Sequence, residues 1–111
     1  VGDRLTQTFE FIVNEKVFFT EAFRSDDRNS LKEHDFELIL QFYTDLLARK
    51  DSRALDQELH FLLEMYCQGS VYMTVKWVLG GMKDSPQAMS AKLVDAMPPK
   101  LANVFERLKL L

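Results

Sequence analysis

The chain has 111 residues, 47% hydrophobic and 28% charged, with 14 Lys plus Arg against 17 Asp plus Glu for a formal net charge of −3. That length supplies a single domain with its own hydrophobic core, needing neither disulfides nor a structural metal, and the composition excludes intrinsic disorder and collagen-like repetition. The longest mostly apolar run free of charge, Met65 to Val75, falls well below the ~18–20 residues a membrane span requires, so no membrane partner is expected.

Few Gly and Pro interrupt the chain, and they fall at boundaries, so the reading is helical throughout. A first helix is predicted over 4–14, where Leu5, Phe9, Ile12 and Val13 recur on one face. A short second segment over 16–24 carries Phe18, Phe19, Ala22 and Phe23, and the polar cluster Ser25-Asp26-Asp27-Arg28-Asn29 ends it. Ser30 with Glu33 has the form of a capping box and predicts the next start. Leu31, Leu38, Ile39, Phe42, Leu46 and Leu47 carry that stripe to Arg49-Lys50, whose charges suit a helix C-terminus.

The longest helix is predicted over 54–79. Placed 100° apart, Leu55, Leu59, Leu62, Leu63, Tyr66, Gly69, Met73 and Trp77 fall within about 60° of one line, a core-facing stripe. From residue 71 the opposite side turns apolar too, with Val71, Tyr72, Val75, Val78 and Leu79 following the polar Asp56, Gln57, His60, Glu64 and Gln68. Such a two-sided helix is buried on both sides, either in its own chain or against another subunit. Gly80-Gly81 ends it, Ser85-Pro86 opens a helix that Pro98-Pro99 stops after Met89, Leu93, Ala96 and Met97, and a last amphipathic segment spans 100–110. The expected fold class is an all-α bundle of five to six helices.

Charge is uneven, net −5 over residues 1–60 and +2 over 61–111, without the clustered Lys and Arg that neutralise phosphates. The segment is therefore expected to bind DNA or RNA poorly by itself. There is no GxGxxG, P-loop, HExxH, CxxC or GxSxG, so no enzymatic reading has its signature. His34 and His60 lie on different predicted helices without ligand spacing, so no metal and no cofactor is expected. Cys67 cannot form an internal disulfide, which fits a reducing cytoplasm, and reads as a small buried filler. Asp3, Arg4, Glu10 and Glu15 break any signal-peptide core. Val1 in place of an initiator Met marks the chain as an expected fragment of a longer protein.

Nine Phe, three Tyr and one Trp offer material for an apolar ligand cavity between helices as well as for plain core packing. Tyr66, Gln68 and Trp77 each bring a polar atom that needs a partner if buried.

Phe61-Leu-Leu-Glu-Met-Tyr66-Cys-Gln-Gly69, then Lys76-Trp77-Val78, Gly81-Met82, Ser85-Pro86, Met89 and Met97-Pro98 resemble, in order and spacing, the C-terminal regulatory region of TetR/AcrR-type bacterial transcription regulators. Phe11-Ile-Val-Asn-Glu-Lys-Val-Phe18-Phe19 is similar to a segment of the Gram-positive branch that includes the activator of dihydroxyacetone kinase operons. The resemblance implies an effector-binding and dimerisation domain over 1–111, whose DNA contacts are made only through an N-terminal helix-turn-helix outside these residues. The implied pocket draws on Phe19, Phe23, Phe42, Tyr43, Tyr66, Gly69, Met73 and Trp77. The implied homodimer contact joins Val71, Tyr72, Val75, Val78 and Leu79 to Met89 and Leu93, as a four-helix interface of the two long C-terminal helices and their counterparts. The effector, small molecule or protein, stays unnamed. The competing reading is a stand-alone helical adaptor that binds a protein partner and no small molecule.

Overall fold

A computed structural model describes residues 2–25, 28–50 and 56–109. The described residues form six helices and no strand: α1 (Gly2–Asn14), α2 (Lys16–Arg24), α3 (Arg28–Lys50), α4 (Gln57–Leu79), α5 (Pro86–Asp95) and α6 (Pro99–Arg107). This is the all-α architecture that the periodicity implied.

Local chemistry sets most of the boundaries. The Asp56 carboxylate accepts a hydrogen bond from the Leu59 N–H at 2.8 Å, capping α4. At the other end, the Met82 N–H reaches the Trp77 carbonyl and the Gly81 N–H that of Val78, closing the helix through the paired bonds of a Schellman motif. Gly81 has φ of +95°, which a residue with a Cβ adopts only under strain. The Ser85 hydroxyl accepts from the Ala88 N–H at 3.0 Å, with Pro86 in the first turn of α5, as Ser-Pro predicts.

One expectation fails at a boundary. Helix α3 starts at Arg28, so Ser30 lies inside the helix and is not its cap; Ser30's side chain lies outside the described residues. Leu55, assigned to the core stripe of α4, and Leu110, assigned to α6, also lie outside the described residues.

Two apolar clusters make the core. In the first, Phe9 and Ile12 of α1 and Phe23 of α2 meet Val71, Val75, Trp77 and Val78 of α4 and Met89 and Leu93 of α5. In the second, Tyr43 and Leu47 of α3 meet Leu59, Leu63, Tyr66 and Cys67 of α4, with Met97, Leu101 and Phe105 beyond. Phe36 and Ile39 of α3 pack against both. Helix α4 thus belongs to both clusters and joins the two ends of the domain. The Ser90 hydroxyl donates to the Gly2 carbonyl at 2.7 Å, fastening α5 to the start of α1. Lys100 pairs with Glu58, linking the exposed faces of α6 and α4.

The inward face of α4 is rotated from the predicted line. Cys67, Ser70, Val71 and Val78 are buried, whereas Gly69 and Met73 face solvent. Counting 100° per residue, the buried arc is centred roughly 70° round the helix from the line through Tyr66. On that arc Val71 and Val75 share the first cluster with Phe23 of α2.

That rotation corrects the expected dimer contact. Val71, Val75, Val78, Met89 and Leu93 are buried in the protomer's own first cluster, and Leu79 is half-buried against it. Of the seven residues assigned to a partner, only Tyr72, 62% exposed, is open to one. Leu38, assigned to the α3 core stripe, is 56% exposed.

Candidate functional site

Helices α1, α2, α3, α4 and α5 enclose a cavity of about 380 Å³, within the usual range for a small-molecule site. Phe9 and Ile12 come from α1, Phe19 and Phe23 from α2, Ile39, Phe42 and Tyr43 from α3, Val71 and Val75 from α4, and Leu93 from α5. Phe11 and Leu38, both more than half exposed, together with the exposed Arg4 and Thr8, mark its mouth. Aromatic edges build the α2 wall, with the Phe19 ring 6.0 Å from Phe11 and 6.1 Å from Phe23 between centroids.

The polar part of the lining is small, and most of its protons are already in use. The Ser70 hydroxyl donates to the Tyr66 carbonyl at 2.7 Å, Thr74 to Ser70 at 2.8 Å and Thr8 to Arg4 at 3.0 Å, each one turn back along its own helix. Tyr66 donates its hydroxyl to the Leu93 carbonyl. The Tyr43 side chain lies against that of Tyr66, and this proximity adds to the rise that burial causes in its own pKa. Burial raises the pKa of Tyr43 and lifts Tyr66 to about 12 and Cys67 to about 12, so all three are neutral across the physiological range.

Two charged groups remain. Arg4 sets its guanidinium 5.4 Å from the Phe42 ring centroid, over the mouth. Asp35, half-buried on α3, has its carboxyl pKa raised by burial, against a smaller lowering by the neighbouring His34.

Of the eight residues expected to form a pocket, Phe19, Phe23, Phe42 and Tyr43 line the cavity. Tyr66 stands behind Tyr43 in the second cluster, their ring centroids 6.1 Å apart. Trp77 packs edge-on against Phe9 at 5.3 Å and donates its indole N–H to the Asp84 carbonyl at 2.9 Å, so its polar atom is satisfied by the chain itself. Gly69 and Met73 lie on the far, solvent-facing side of α4. Val71, Val75 and Leu93, expected at a subunit contact, are cavity wall instead.

Sequence reasoning passed over Arg4, Thr8, Asp35, Ser70 and Thr74. Ser70 and Thr74, one turn apart within an apolar run, were one visible signal, and Asp35 was another, standing in helical register with Leu31, Leu38, Ile39 and Phe42 of α3.

A second, shallow groove lies on the outer face of α4, lined by Phe61, Glu64, Met65, Gln68, Gly69 and Tyr72. Phe61, Met65 and Tyr72 are each about 60% exposed, and a Cβ on Gly69 would meet open space. Among the described residues no group of His, Cys, Asp and Glu is placed to hold a metal, and no helix is long and apolar enough to cross a membrane.

The described residues thus form an all-helical domain whose helices surround an apolar cavity. Residues 3–98 match the TetR-type family described as "Transcriptional regulator C-terminal region", and the chain belongs to that family. No curated protein and no solved structure matches the chain.

Proposed function

We propose that this domain is the sensing and dimerisation part of a cytoplasmic TetR-like transcription regulator, in which an effector occupying the α1–α5 cavity alters DNA binding by a helix-turn-helix elsewhere in the intact protein. The observation that carries the proposal is the 380 Å³ apolar cavity in a chain of this family. Its wall draws on five helices, so an occupant favours whichever relative arrangement of those helices fits it best, and an attached DNA-binding segment responds to that shift. The affiliation with the dihydroxyacetone-kinase-activator branch rests on the residue pattern of α1, α2 and α4 alone.

The reading is tested by fluorescence titration of the domain with N-phenyl-1-naphthylamine, an uncharged apolar probe. Saturable one-to-one binding that is lost on filling the cavity supports it; binding that survives the filling contradicts it.

For dimerisation, the outer groove of α4 replaces the residues first expected. Phe61, Met65, Gln68, Tyr72 and Lys76 recur along one line of that helix. A second copy packed antiparallel about a two-fold axis between Gln68 and Gly69 sets Met65 of each copy against Tyr72 of the other. The absent side chain at Gly69 lets the two helices approach closely at the crossing point. This contact is isologous, as a two-fold interface must be. Sedimentation equilibrium should give a dimer that Met65→Glu converts to monomer with its helicity intact. A Met65→Glu protein that still dimerises would exclude this face. The adaptor alternative uses the same groove for a different protein, and is favoured only if the domain sediments as a monomer and binds no apolar probe.

A further inference from the structure

Beyond the first turn of α1, every cavity-lining residue lies inside a helix, so its main-chain N–H is spent on the helix ladder. Most of the side-chain protons are spent as well. Thr8, Ser70 and Thr74 donate to their own helices, and Tyr66, behind Tyr43, donates to Leu93. What these hydroxyls still offer an occupant is lone pairs. Asp35 adds a carboxylate that makes no hydrogen bond or ion pair with another described side chain. The remaining donors in the lining are the Tyr43 hydroxyl and the Arg4 guanidinium, the latter solvent-exposed at the mouth and stacked on Phe42. The cavity is thus an apolar box whose inner polar atoms are mostly acceptors, with the half-buried Asp35 carboxyl in its wall.

We infer that the effector is a hydrophobic amine, an apolar or aromatic body that fills the space between Phe19, Phe23, Val71 and Val75 and carries a protonated nitrogen to the Asp35 carboxylate. The inference rests on the proposed sensing role and names the chemistry of its ligand. Three features favour such a molecule over its neutral or anionic counterparts. An ammonium gives the half-buried Asp35 carboxylate an opposite charge and a charge-assisted hydrogen bond. Its further N–H groups can be received by the acceptor hydroxyls. The Phe19 and Phe42 ring faces attract cations, and Arg4 already makes such a contact with Phe42 at the mouth. A carboxylate, by contrast, meets mostly lone pairs and a negative charge inside, and can use only the Tyr43 hydroxyl and, at the mouth, Arg4, where water screens the attraction.

The test is displacement of N-phenyl-1-naphthylamine at pH 7 by four compounds of one shape: 4-phenylbutylamine, 4-phenylbutanol, 4-phenylbutyrate and butylbenzene. It is run on the wild-type domain, Asp35→Asn and Arg4→Gln, with helicity checked for each variant. The amine is expected to displace the probe at about one-tenth the concentration the carboxylate requires. Asp35→Asn should remove about ten-fold of amine affinity while leaving butylbenzene unchanged, and Arg4→Gln should leave the amine preference in place. A carboxylate that equals or exceeds the amine, or an amine preference that Asp35→Asn does not reduce, overturns the inference while leaving the cavity's sensing role standing. If the probe itself does not bind the wild-type domain, the sensing role falls and the inference falls with it.

Discussion

Phe23→Ala removes a ring that is 2% exposed and that closes the α2 side of the cavity. Losing the burial of a benzyl side chain costs about 1.5–3 kcal/mol. The change also enlarges an existing void by roughly 80 Å³, which at ~24 cal/mol per Å³ adds about 2 kcal/mol. The expected destabilisation is therefore about 4 kcal/mol, a large share of the roughly 5–15 kcal/mol a domain of this kind has available. Phe18, five residues earlier on the same helix, is 63% exposed, and its replacement by Ala should change stability by no more than about 0.5 kcal/mol. Urea unfolding, followed by Trp77 fluorescence and far-UV circular dichroism, measures both variants; protein concentration is held fixed because self-association shifts the midpoint. Two Phe→Ala variants that differ by less than about 1.5 kcal/mol would refute the packing described for α2.

Gly81→Ala forces a Cβ onto a residue with φ of +95° and should destabilise by about 1–2 kcal/mol in thermal unfolding, whereas an unchanged melting temperature would refute the C-terminal cap described for α4. Gly69→Ala, with open space at its Cβ, should stabilise the isolated protomer by up to about 1 kcal/mol and weaken self-association, which urea unfolding and sedimentation at several concentrations separate. Ser85→Ala removes the α5 cap and should cost about 1 kcal/mol. Alkaline stability follows from Cys67, Tyr43 and Tyr66, whose ordinary values of 9.0, 10.0 and 10.0 are raised by burial in the folded protein, Cys67 and Tyr66 to about 12. Above pH 9 the unfolded chain releases protons that the folded one retains, so this contribution is complete below pH 9 and is lost as pH rises toward 12. Tyr43→Phe should make the fall with pH shallower between pH 10 and 12; an unchanged slope would show that Tyr43 ionises freely in the folded state.

The helices were readable because their signals are local. Ser85-Pro86 and Gly80-Gly81 fix boundaries through backbone chemistry that depends on no distant contact, and the Phe9–Ile12 spacing needs only the helical repeat. The pocket was half readable. Phe19, Phe23, Phe42 and Tyr43 were found because large aromatics on inner faces must sit near one another in so small a domain. Trp77 was misassigned because its indole partner, the Asp84 carbonyl, lies in the turn after α4, where no pattern in the sequence announces an acceptor.

The orientation of α4 was the main loss. Tyr66, Trp77 and Leu63 share an arc with Met73 and Gly69, and hydrophobicity alone draws the line through all five. Packing chose the side with Cys67, Ser70 and Val71, which is buried in the core, over the side with Met73. Once α4 is turned, Val71 and Val75 exchange a subunit contact for the cavity wall, and Phe61, Met65 and Tyr72 are left outside as the face a second copy can cover.

The cavity's role is tested most directly by titrating N-phenyl-1-naphthylamine into the wild-type domain and into Val75→Phe, which places a ring in the cavity from a wall position 5% exposed. The account predicts saturable one-to-one binding to the wild-type domain and loss of at least about ten-fold in affinity for a Val75→Phe protein of unchanged helicity. Equal binding to the two proteins would contradict it, placing the probe on the outer surface and leaving the cavity as packing alone.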